Sequence, residues 1–110
     1  MKFLVATCPK DEHARTLPSA TEFEAQTAWF GARLADKTID WAGHAPGRAL
    51  FVFNAQSQAA LEALLDTIPL AEQMKRTIEP LSDFFEHTAR VTAYLKSKET
   101  PVPSALGAPL

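Results

Sequence analysis

The stretch "WAGHAPGRALFVFNAQS", Trp41–Ser57, decides how the rest of the chain is read. It carries an apolar run, Leu50–Phe53, behind Pro46-Gly47, with His44 just ahead of the pair. Proline presets φ for the second position of a β-turn and glycine accepts the positive φ of the third. The pair therefore marks a type II turn. Strand formers flank it on both sides, so Thr38–His44 and Arg48–Asn54 read as a β-hairpin. Closure through Pro46-Gly47 sets Ala45 opposite Arg48, His44 opposite Ala49, Ala42 opposite Phe51 and Asp40 opposite Phe53. Strand side chains alternate between faces. His44, Asp40, Phe51 and Phe53 are thus expected on one face, and Ile39, Trp41, Gly43, Leu50 and Val52 on the other. The second set is expected to lie beneath helices, and the first to line a mostly apolar pocket.

Working outward, "KFLVATC" (Lys2–Cys8) reads as a first strand that ends at Pro9. Polar residues through Leu17 form a loop closed by Pro18. Ser19 or Thr21 can cap a helix to about Asp36, with Ala20, Phe23, Thr27, Phe30, Gly31 and Leu34 as its stripe. Trp29 falls off that stripe and is expected to be half exposed or at a subunit contact. Ser57 caps a second helix whose buried stripe is Leu61, Leu64, Leu65 and Ile68, and Pro69 ends it. Met74–Leu81 is the last strand. Ser82 or Asp83 caps a third helix from Phe84 to about Lys96, striped by Phe84, His87 or Thr88, Val91 and Leu95. Residues 97–110 hold three of the eight prolines and are expected to be an extended or disordered tail after a single domain, 1–96.

The order β-α-β-β-α-β plus a C-terminal helix gives an α+β, ferredoxin-like arrangement. Two helices cover one face of a four-stranded antiparallel sheet. The third strand is nonetheless apolar on both parities, Leu50 and Val52 against Phe51 and Phe53. A wet face calls for polar alternation, so the second face is expected to meet another subunit. The chain is therefore expected to form a homodimer or higher homo-oligomer.

Composition narrows the classes. The 110 residues carry a net charge of −2 and no cluster of Lys and Arg, which argues against nucleic acid. No run of about 18 apolar residues exists to span a membrane. The start, "MKFLVATCPKDEH", lacks a signal-peptide pattern, and one cysteine, Cys8, leaves no internal disulfide. The expected location is the cytoplasm.

Ala42-Gly43-His44 before the turn, Val52-Phe53-Asn54 after it, Ser57 opening a helix, Ala60-Leu61, Pro69-Leu70 and Met74 together form a pattern. It resembles the muconolactone isomerase family of the dimeric α+β-barrel superfamily over Ala42–Met74. The resemblance implies a small dimer or higher oligomer, free of metal or organic cofactor, with a pocket for a small metabolite. It also implies proton transfer that moves a ring double bond. Two features depart from the family. The first strand has "VATC" where the family has a lysine, and acidic residues are missing near Gln26–Thr27, with Glu22 and Glu24 one turn earlier.

The residues that carry chemistry follow from side-chain type. Histidine exchanges protons near neutrality, so His44 is the acid/base candidate. Asp40 is expected to orient it or act as a second base. Arg48 can hold a carboxylate in a bidentate pair, and Phe51 and Phe53 line the pocket. Cys8 has no activating base beside it. Asp11, Glu12 and His13 are adjacent in sequence, which supplies no metal-binding geometry. The leading expectation is a cofactor-independent isomerase acting on a small metabolite. The alternatives are a non-catalytic binding dimer of the same fold and a cofactor-free oxygenase.

Overall fold

The computed structural model describes residues 1–10 and 17–99. Residues 11–13 and the segment from 100 onward lie outside it, and with them the notion of an acidic-histidine cluster and most of the expected tail. Four strands, β1 (Lys2–Pro9), β2 (Ile39–Ala45), β3 (Arg48–Asn54) and β4 (Met74–Leu81), alternate with α1 (Ala20–Ala35), α2 (Gln58–Leu65) and α3 (Phe84–Lys98). They form one antiparallel sheet in the order β2-β3-β1-β4. The result is an α+β fold consistent with the ferredoxin-like arrangement. The helix α3 continues to Lys98, two residues past the expected domain end.

Local sequence explains the boundaries. Ser19 opens α1 with a reciprocal capping box: its hydroxyl accepts from the Glu22 amide, and the Glu22 carboxylate accepts from the Ser19 amide. Ser57 caps α2 by accepting from the Ala60 amide, and Asp83 caps α3 by accepting from the Glu86 amide. The hairpin closes through Pro46-Gly47 with Ala45 opposite Arg48, and Gly47 takes φ 77° as the type II turn demands.

The core lies between the sheet and α1 and α2. Phe3 and Val5 of β1, Ile39 of β2, Phe51 and Phe53 of β3, and Leu61, Leu65 and Ile68 around α2 are buried together. Burying each such side chain contributes about 1.5–3 kcal/mol. Phe30 of α1 stacks flat on Phe51, with ring centroids 4.3 Å apart and planes within 2°.

The expected face assignment is therefore inverted. Phe51 and Phe53 lie under the helices, and Leu50 and Val52 lie on the open face. Neither phenylalanine is an open-face pocket wall. The cause is volume: β1 also turns its bulkier pair, Phe3 and Val5, to the helices and leaves Leu4 and Ala6 outside. Trp41 is corrected with them, because it stands 51% exposed on the open face instead of in the helix-side core. Its indole lies across Gly43, where a Cβ would come within 2.3 Å of the ring, so a larger residue there would displace the indole. Trp29 is half-buried, as expected, and packs against the monomer's own core. It packs edge-on to Phe30 at 5.1 Å and donates from Nε1 to the Thr67 hydroxyl at 3.2 Å.

Candidate functional site

The hairpin register holds from Ala45 back to Trp41 as the turn requires, with His44 opposite Ala49 and Ala42 opposite Phe51. Beyond that it slips. Trp41 pairs with Val52 but Ile39 pairs with Phe53, so Asp40 is one extra residue on β2, a β-bulge. The bulge turns Ile39 inward to Phe53 and moves Asp40 off the face of His44.

The Asp40 carboxylate instead accepts from the Lys2 ammonium and from Asn54 Nδ2, the latter at 2.7 Å. Lys2 and Asn54 pair across β1 and β3 on the open-face parity. Asn54 also accepts from Lys2 Nζ at 2.8 Å and donates to the Lys37 carbonyl at 3.1 Å, so the bulge is pinned on three sides. The Lys2 ammonium, then the Asn54 amide, hold the Asp40 carboxyl below the usual carboxylate range. That is opposite to what a neutral-pH general base needs. The Asp40 carboxylate makes no bond to His44 in this structure; it is engaged by Lys2 and Asn54 at the bulge.

His44 remains on the helix-side face, at the end of the sheet next to the turn. There the bulky series of the core runs out. Along β3 the inward side chains shrink from Phe53 through Phe51 to Ala49, and along β1 from Phe3 through Val5 to Thr7. Thr7 and Ala49 face each other in register, and His44 completes the row. Above this shallow floor lies a mostly apolar cavity of about 400 Å³.

Four elements wall it. The hairpin end gives His44, Gly47, Arg48 and Ala49, and the end of β1 gives Thr7, Cys8 and Pro9. Phe23 and Gln26 come from the first two turns of α1, behind Leu17 and Pro18, while Leu70, Gln73 and Met74 close the far side. Gln26 is fixed by donating to the Pro69 carbonyl at 3.3 Å and the Met74 sulfur at 3.4 Å. Leu70 sits at φ 68°, a left-handed conformation that costs a non-glycine residue about 1 kcal/mol, and so is held on the cavity by its surroundings.

His44 and Arg48 are both exposed, and among the described residues neither has a side-chain hydrogen-bond or ion-pair partner. Thr7 is only 6% exposed, and its hydroxyl likewise makes no hydrogen bond to a described residue. The Thr7 hydroxyl is not sealed from solvent, and Thr7 lies on the cavity wall. The site thus offers one guanidinium, one imidazole and one hydroxyl around apolar walls, a pattern suited to a small ligand with a single anionic group. No group of three or more metal-ligating side chains occurs among the described residues.

Of the five residues expected at a site, the structure brings His44 and Arg48 together. It takes Phe51 and Phe53 into the core beside the cavity and removes Asp40. Sequence reading missed Thr7, Phe23, Gln26, Leu70 and Met74. The taper from Phe to Ala along β3 and from Phe to Thr along β1 was the signal that could have found the floor. No helix among the described residues is long and apolar enough to cross a membrane. No known protein-family model matches the chain, and no curated protein matches it either.

Proposed function

We propose that the chain is a cofactor-independent, isomerase-like enzyme for a small carboxylated, unsaturated ring metabolite, working as a homodimer paired through the open sheet faces. One observation carries the reading: His44 and Arg48, both at the hairpin end, line the same apolar cavity. Arg48 holds the carboxylate, Phe23, Leu70 and Met74 hold the ring, and the Thr7 hydroxyl donates to a ring oxygen. His44 removes a proton from the carbon next to a carbonyl. The electron pair moves into the conjugated system, and the imidazolium returns the proton at its far end, so the double bond shifts with no net gain or loss. The resemblance over Ala42–Met74 supports the reaction class.

The test uses the full chain and a panel of small unsaturated lactone carboxylates in D2O, followed by NMR. Deuterium enters the ring carbon with wild type, and His44→Gln slows entry about 100-fold. Arg48→Gln raises KM about 10-fold or more, as expected for one lost charge-assisted contact. Equal exchange by wild type and His44→Gln removes His44 from the mechanism.

A second reading, a non-catalytic binding dimer, is favoured by the absence of any carboxylate orienting His44 among the described residues. It requires ligands that raise the melting temperature, lose that effect in Arg48→Gln, and never take up deuterium.

A further inference from the structure

The helix α3 has no place in the fold of its own chain. None of its residues is buried, and Phe84, Phe85, Tyr94 and Leu95 are 69%, 77%, 60% and 56% exposed. The molecule measures 71 × 30 × 21 Å with a radius of gyration of 20.9 Å, against about 13 Å for a compact chain of this length. Phe84, Thr88, Val91 and Leu95 fall on one stripe of the helix, with Glu86, Arg90 and Lys96 on the opposite side. An isolated helix of this length is marginal in water. Its amphipathic design calls for a surface that its own domain does not supply.

A second unpartnered feature stands at the other edge of the sheet. β2 and β4 are the two outer strands. Trp41 lies half-exposed on the open face of β2, and α3 leaves the end of β4 after the two-residue link Ser82-Asp83. When two such sheets face each other about a two-fold axis parallel to the strands, the β4 edge of each copy lies over the β2 edge of the other. A symmetric interface of this kind satisfies both patches in both copies at once.

The dimensions agree. The helix α3 is about 22 Å long at ~1.5 Å per residue and the β2 edge about 23 Å at ~3.3 Å per residue, so the arm matches the edge it must cover. The open face and the α3 stripe together present roughly 650 Å² before side-chain relief, close to the ~800 Å² per partner of a standard interface.

We infer that α3 is an arm that docks on a second copy of this chain, seating Phe84, Val91 and Leu95 over the β2 edge and its Trp41. The arm rests on the face-to-face pairing proposed above. It is tested by sedimentation equilibrium and acrylamide quenching of tryptophan on the full chain. Three variants are compared with wild type: Val91→Asp with Leu95→Asp on the arm, Trp41→Ala at the receiving edge, and Val52→Lys at the sheet centre. Wild type is expected to be dimeric at micromolar concentration. The arm variant is expected to weaken the dimer at least about 30-fold and raise quenching of Trp41, and Trp41→Ala to weaken the dimer with unchanged circular dichroism.

A monomeric wild type overturns the arm and the pairing together. A dimer broken by Val52→Lys but untouched by both the arm variant and Trp41→Ala overturns the arm alone. Neither outcome bears on ligand binding in the cavity, which the deuterium experiment reads separately.

Discussion

Replacing Phe51 tests which face of the sheet is the monomer's core. Phe51 is 6% exposed, stacks flat on Phe30 at 4.3 Å and meets Phe53 edge-on at 6.1 Å. Phe51→Ala loses the transfer energy of the ring and leaves a cavity between β3 and α1, together about 3–5 kcal/mol. In a domain of this size each kcal/mol moves the melting temperature by roughly 4–8 °C, so the variant is expected to melt at least about 12 °C lower. Phe51→Leu is milder, about 1.5 kcal/mol or less, and allows a double-mutant cycle with Phe30→Leu. The cycle isolates the stack, with an expected coupling of about 0.5–1.5 kcal/mol. Urea unfolding monitored by far-UV circular dichroism supplies all four corners. Val52→Ala, one residue along and half-buried on the open face, is the control and is expected to cost the monomer about 1 kcal/mol or less. If Phe51→Ala unfolds like wild type while Val52→Ala loses several kcal/mol, the helices cover the other face and the site described above is wrong.

Two more outcomes follow from the site and from the bulge. Ala49→Leu puts a larger side chain on the cavity floor beside Thr7 and is expected to weaken ligand binding about 10-fold or more while the fold survives, read by calorimetry and circular dichroism; undiminished binding places the ligand elsewhere. Asp40 has its pKa lowered in the folded state by Lys2 and Asn54, so its contribution is full above the ordinary carboxylate value of about 3.9 and fades as pH falls through the lower folded value. The melting-temperature gap between wild type and Asp40→Asn is therefore expected to be widest near neutrality and to close toward pH 2, and a gap independent of pH contradicts the assignment.

What the sequence made legible was local. Ser19, Ser57 and Asp83 stand where helices begin and Pro46-Gly47 closes the hairpin, because each acts through its own backbone geometry and needs no distant partner, whereas α2 stops at Leu65, ahead of the Pro69 expected to end it. The parity placing His44 with Phe51 and Phe53 also followed from the turn alone. Which side of the sheet that parity faced did not. Both parities of β3 are apolar, so alternation carries no sign, and the choice depends on total volume against α1 and α2. Phe30 and Trp29 contribute to that volume from another element.

Asp40 shows a different limit. One extra residue in β2 changes the side of every residue beyond it. The bulge is held by Lys2, which lies 38 residues away in sequence, and by Asn54. No short-range pattern around "TIDWAG" contains either partner. The same displacement brings Ile39 under the helices, while Trp41, on the regular side of the bulge, stays outside over Gly43. It therefore fills the core at the closed end of the sheet. At the turn end the register is regular and the inward side chains dwindle to Ala49 and Thr7, so the backbone continues where packing stops. A cavity follows of necessity where a sheet outlasts its core, and His44 and Arg48 stand at its mouth because the hairpin turns there.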